Sequence, residues 1–122
     1  MHKATSKLSP VVSIKKRQDF KKVFNKGKYS AGALFVIHAL KNGLDESRLG
    51  LSVSKKVGNA VVRNRVKRLV KEVCRLMLIP AGYDFVIVAR VPAGEMGEDA
   101  FVKVRNSLIE RFGKLGFTVD KL

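Results

Sequence analysis

Arg63, Asn64 and Arg65, followed by Lys67, Arg68 and Lys71, are the residues whose types and spacing carry the clearest chemistry in this sequence. A guanidinium forks onto phosphate oxygens or a guanine edge, an ammonium acts as a point charge, and an amide between two arginines adds a neutral donor and acceptor. Lys55, Lys56 and Asn59 precede them in the run SKKVGNAVVRNRVKR. From Lys55 to Arg75 eight basic residues face one acid, Glu72. A solvated helix laced with salt bridges would alternate its signs, so this array reads as a contact surface for a polyanion, nucleic acid first.

The rest of the charge supports that reading. Of a net +15, the part through Arg75 holds 19 Lys and Arg against four acids, and the remainder balances six against six. Self-repulsion on this scale destabilises a compact state unless a polyanion neutralises it. An anionic membrane is the weaker alternative, because no amphipathic helix exposes an apolar face and no apolar run approaches the length of a span. The N-terminal residues MHKATSKLSPVVSIKKR have charge but no apolar h-region, so they do not read as a secretory signal. A single cysteine, Cys74, agrees with a reducing compartment. A cytoplasmic location, with no membrane partner, is the resulting expectation.

Groups for protein-borne catalysis are sparse. His2 sits in the N-terminal segment and His38 in a strand-like run with no neighbouring carboxylate to orient it as a general base. Cys74 falls at the edge of an apolar helix face, where packing explains it. Asp45–Glu46 and Glu98–Asp99 fit a solvated loop and a helix start, respectively, better than a metal site. The segment KVGNAVVRN has one glycine and lacks the pattern of a phosphate-cradling nucleotide loop. No catalytic residue is expected in this chain.

The elements that must position the basic array follow from periodicity. A length of 122 residues suits one domain. Residues 1–14 are expected to form a basic arm without order, 15–117 the domain, and 118–122 a short tail. Phe20, Val23 and Phe24 predict a short helix from Lys15 that stops at Gly27. Residues 33–40 and 48–54 read as two strands of an antiparallel hairpin. Leu49, Leu51 and Val53 share an apolar face with Phe35, Ile37 and Ala39, and Val36, His38, Ser52 and Ser54 lie on the other.

Apolar residues at 62, 66, 69, 70, 73 and 77 define a helix from near Asn59, its N-cap, to Leu78. Asp84 to Arg90 reads as a strand buried on both faces. Phe101, Val104, Leu108, Phe112 and Leu115 mark a last helix. The expected class is α+β, with a parallel strand–helix–strand unit. Phe20 and Phe24 either glue the first helix to the sheet or, with Val36 and His38, offer a stacking surface for unpaired bases. Periodicity alone favours the first.

Three stretches, LGLSVSKKVGNAVVRNRVKRLVKEVCR, DFKKVFNKGK and YDFVIVAR followed by a proline, are similar to the protein subunit of bacterial ribonuclease P over about Lys15 to Leu115. The family's Arg-Asn-Arg signature corresponds to Arg63, Asn64 and Arg65. The resemblance implies an α-β-β-β-α-β-α two-layer sandwich of the ribosomal protein S5 domain 2-like kind, with a left-handed βαβ crossover. It implies removal of the 5′ leader of precursor tRNA by an enzyme whose catalytic centre, with its Mg²⁺, resides in ribonuclease P RNA. By the same resemblance, no cofactor is expected on the protein and no DNA among its partners. By resemblance, Lys55, Lys56, Asn59, Arg63, Asn64, Arg65, Lys67, Arg68 and Lys71 would bind that RNA. Phe20, Phe24, Val36, His38, Ser52 and Ser54 would line a cleft for the single-stranded leader, and stacking there gains over simple glue. A structural RNA-binding protein such as a ribosomal component is the competing reading.

Overall fold

The computed structural model describes residues 5–7 and 12–119. His2, most of the arm expected over 1–14 and the last three residues of the expected tail lie outside these. The elements run β1 (Thr5–Lys7), α1 (Arg17–Lys26), β2 (Lys28–Ala31), β3 (Phe35–Lys41), β4 (Arg48–Ser52), α2 (Ala60–Leu76), β5 (Leu78–Pro80), β6 (Tyr83–Ala89) and α3 (Ala100–Lys114). Two short 3₁₀ turns, Val91–Glu95 and Gly97–Asp99, join β6 to α3.

The main sheet has the order β2-β3-β6-β4, and β1 pairs with β5 in a separate two-stranded ladder. The fold is α+β, as expected, and β4, α2 and β6 form the strand–helix–strand unit with parallel pairing. The antiparallel hairpin expected between β3 and β4 does not exist. β6 lies between them, antiparallel to β3 and parallel to β4. The physical reason is the apolar character of β6 on both faces, which suits the centre of a sheet rather than an edge. The real hairpin joins β3 to the short β2 across residues 32–34.

The sheet is covered on both sides. On one, Phe35, Ile37, Phe85, Ile87 and Leu49 form a core with Val66, Val70 and Val73 of α2 and Val104, Leu108 and Phe112 of α3. On the other, Val23 of α1 packs with Val86 and Ile14. Ile14 is held there because residues 12–14 lie along β4, with Leu49 N donating to Val12 O and Ile14 N donating to Leu49 O. The packed body therefore includes residues ahead of Lys15.

α1 begins at Arg17 without a side-chain cap and ends at Gly27. Gly27 is required by proximity rather than by its dihedral: a Cβ there would sit 2.6 Å from the carbonyl oxygens of Ala39 and Val23. That close approach brings the end of α1 onto β3.

Candidate nucleic-acid interface and aromatic face

α2 presents the basic array. Asn59 caps it as expected, its side-chain oxygen accepting from Val62 N at 3.0 Å. Buried Val66, Val70, Val73 and Cys74 fix one stripe of the helix to the core. Asn64, Arg65, Arg68 and Lys71 are exposed on the rest of the circumference, as are Lys55, Lys56 and Asn59 in and after the preceding turn. Arg63 and Lys67 are half-buried. Asn64, Lys67, Arg68 and Lys71 share the wall of one shallow depression with Glu72 and Arg75. Glu72, the only acid in the run, is taken by Arg75 at 2.6 Å. Among the described residues the other cations of the array have no ion pair, so their charge is open to a ligand.

Two features brace this array that the sequence did not signal. Gly94, in the turn after β6, lies so close to Val57 that a Cβ there would overlap the Val57 carbonyl oxygen. The Arg65 guanidinium donates to Gly97 O at 3.1 Å, tying α2 to the second turn. VPAGEMGEDA has no periodicity that could reveal a buttress, and only three-dimensional proximity to residue 57 does.

The second candidate site lies on the α1 side of the sheet. In register, Val36 faces Val88, which also faces Ser52, and His38 faces Val86, which also faces Gly50. Val36, His38 and Ser52 therefore do share a face. Phe20 lies over Gly50, where a Cβ would meet the ring at 2.6 Å. Phe24 is 40% exposed and meets the His38 ring edge-on, with centroids 4.6 Å apart. Ser54 lies past the end of β4, exposed in the turn where its carbonyl accepts from Val57 N.

Sequence reasoning missed Tyr29. It pairs with His38 across β2 and β3, is 65% exposed, and sets its ring 5.5 Å from His38. The signal available was faint: an aromatic in the four-residue, mostly polar run KYSA after Gly27. Phe24, His38 and Tyr29 thus make a three-ring surface beside Phe20.

Below this surface, Arg48 makes a two-point bond to Asp84 at 2.8 and 2.6 Å, Asn42 donates to the same carboxylate at 2.9 Å, and Asp19 of α1 lies 3.7 Å from Arg48. Burial alone would push the Asp84 carboxyl up, but the hydrogen bonds from Arg48 and Asn42 and the nearby cations hold it below its usual range. The Asp19 contact links α1 to this network.

His38 carries a consequence for pH. Burial pushes its pKa down, and its Nδ1 is buried without a hydrogen-bond partner among the described residues. A depressed imidazole pKa contributes stability that is present above the unfolded value of about 6.5 and lost as pH falls through the folded value. His38→Gln should therefore flatten the fall in melting temperature on acidification below about pH 6.5, measured against the parent protein. Parallel profiles would refute that role.

Among the described residues no three His, Cys, Asp or Glu side chains are placed to hold a metal ion, and no helix is long and apolar enough to cross a membrane. Cys74 is buried, and burial pushes its thiol up to about 12, so it packs as an apolar group.

Comparison with known proteins gives one consistent result. The chain is 47% identical over 106 residues to a protein from Bacillus cereus (strain B4264) named "Ribonuclease P protein component", covering 84% of this chain and 90% of the relative. The similarly named protein of Clostridioides difficile (strain 630) is 46% identical over 101 residues, 80% of this chain and 89% of the relative. A solved structure of a Staphylococcus aureus RNase P protein mutant described as having defective mRNA degradation activity superposes with a TM-score of 0.77 at 34% identity, over 87% of this chain and 89% of that one. The model of the family described as Ribonuclease P matches residues 8–121, and the chain belongs to the family of ribonuclease P protein components.

Proposed function

We propose that this subunit works on two polyanions through two faces. The α2 array, with the turn before it, binds ribonuclease P RNA. The cleft between α1 and the sheet holds the single-stranded 5′ leader of precursor tRNA. The reactive groups and the Mg²⁺ of leader cleavage belong to the RNA, and the protein's residues bind and orient. Its site of action is the cytoplasm.

The observation that carries the reading is the separation of the two faces. The array is rich in open charge and poor in aromatic rings, as suits recognition of a folded RNA by its phosphates. The cleft has the reverse character: Phe24, His38 and Tyr29 form a ring surface on which unpaired bases stack, each worth roughly 1–3 kcal/mol. Phe20, resting on Gly50, supports that surface from beneath α1. The family shown by sequence does not favour the alternative of a ribosomal component.

Division of labour gives the test. Phe24→Ala should leave affinity for ribonuclease P RNA unchanged within about twofold, and should reduce the preference for leader-bearing over mature tRNA by roughly tenfold, equivalent to one stacking interaction. Equal losses in both assays would sink the two-face account.

A further inference from the structure

α3 ends before the sheet does. Lys28 pairs with Ala39 and Lys41 with Tyr83, so all three of Lys28, Lys41 and Tyr83 project from the face that α3 covers further along. Past Lys114 the chain turns at Gly116, φ 92°, and returns Phe117 to ring contact with Phe85 and Tyr83, at 5.3 and 4.8 Å between centroids. Between this return, the 42–46 loop and the turn before Tyr83 lies a cavity of about 890 Å³.

The cavity combines rings and cations. Tyr83 stacks on Phe85 at 5.9 Å, and the Lys28 ammonium sits 5.4 Å from the centre of the Phe117 ring. Neither Lys28 nor Lys41 has an ion pair among the described residues, and Asp45, exposed, is the one carboxylate in the lining. The walls are fixed rather than loose. Ser47 Oγ donates to Pro80 O at 2.7 Å and accepts from Tyr83 N at 3.1 Å, and Asn42 N donates to Gly82 O at 2.9 Å.

Its position separates it from both sites above. It opens on the face of the sheet opposite His38. It also lies at the start of β6, whereas the basic turn follows the end of β4 beside Val88.

We infer that this cavity binds a phosphorylated nucleoside, either one nucleotide of a single-stranded RNA or a free mononucleotide. Half-buried Tyr83, backed by the buried rings of Phe85 and Phe117, offers the base an apolar, polarisable contact, and the two ammonium groups offer the phosphate its counter-charge. The volume falls in the range of small-molecule sites, about 300–1,000 Å³. The cavity would take such a ligand whatever the α2 array and the leader cleft bind.

Amide NMR of the full chain at low salt tests it, with adenosine 5′-monophosphate as the probe. Saturable shifts are expected at the amides of Gly43, Gly82 and Gly116, larger than those from adenosine or inorganic phosphate at the same concentration. The exposed pair Lys28→Gln with Lys41→Gln should weaken binding by roughly tenfold or more while the remaining spectrum stays folded. A single-stranded trinucleotide that binds the same glycines more tightly than the mononucleotide assigns the site to an RNA strand, and the reverse order assigns it to a free nucleotide. Shifts confined to α2 or to the surroundings of His38 overturn the inference, as do shifts that inorganic phosphate reproduces alone.

Discussion

Replacing Arg65 and Arg68 together with alanine is expected to lower affinity for ribonuclease P RNA by two to four powers of ten, since charge-assisted hydrogen bonds are worth roughly 1.5–3 kcal/mol each. The slope of log K against log salt should become shallower by roughly 1.4 to 1.8, from about 0.7 to 0.9 for each phosphate that is no longer neutralised. The two residues are not equivalent. Arg65 also donates to Gly97 O, so its removal takes away a strut between α2 and the turn that follows β6. Arg68 is exposed and forms no hydrogen bond or ion pair with the described residues, so Arg68→Ala reports the RNA interaction with the least structural cost. Leader discrimination by whatever complex still assembles should survive both changes. Titration of the RNA at several salt concentrations, with thermal melts of each free variant, measures all of this. An unchanged salt slope would show that these arginines do not meet phosphate.

Gly94→Ala is the second large effect. The clash is between backbone and backbone: the new Cβ would meet the Val57 carbonyl, and no side-chain rotation can relieve it. Either the Val91–Glu95 turn or the turn carrying Lys55 and Lys56 must move. Ala93 and Met96 are buried in the core beside Gly94, and Val57 is buried in the same core, so the strain is shared and the turn carrying the lysines shifts with it. Overpacking of this kind costs about 1–3 kcal/mol of stability. Misplacing two ammonium groups should weaken RNA binding on the order of tenfold and lower the salt slope by roughly 1.4 to 1.8. A purely structural role would reduce melting temperature and leave that slope alone, so the slope decides between the two.

Gly94 also shows where the sequence ceases to be legible. Helix α2 could be read from its periodic valines and from Asn59, because both are local signals that tertiary structure had only to accept. The sidedness of β3 and β4 was equally readable, since alternation assigns a face whatever the strand pairs with. Pairing itself was not readable. β3 and β4 are neighbours in sequence, and nothing in either segment announces that residues 83–89, more than thirty positions later, will insert between them. The apolar run of β6 pointed to a central place in a sheet, but not to which strands it would divide.

The candidate sites split in the same way. Arg63 to Lys71 declare themselves through charge at helical spacing, and Phe20 and Phe24 through recurrence on one face of α1. Tyr29 became visible only when register placed it opposite His38, because a four-residue edge strand carries too little pattern to be recognised. The cavity beside Tyr83 was hidden for a related reason: Phe117 and Tyr83 come from segments far along the chain from the hairpin strands that carry Lys28 and Lys41, and they meet only in the folded sheet. The Arg48–Asp84 bond joins residues 36 positions apart and depends on the parallel pairing of β4 with β6.

The central claim is that this chain assists leader removal as a binding partner of a catalytic RNA. Reconstitution tests it most directly: purified protein is mixed with ribonuclease P RNA and precursor tRNA at Mg²⁺ too low for the RNA alone, and cleavage at the mature 5′ end is followed. Cleavage by the mixture, little by the RNA alone and none by the protein alone is the expected result. Failure of the protein to stimulate the RNA, or leader cleavage by the protein without RNA, would contradict the claim.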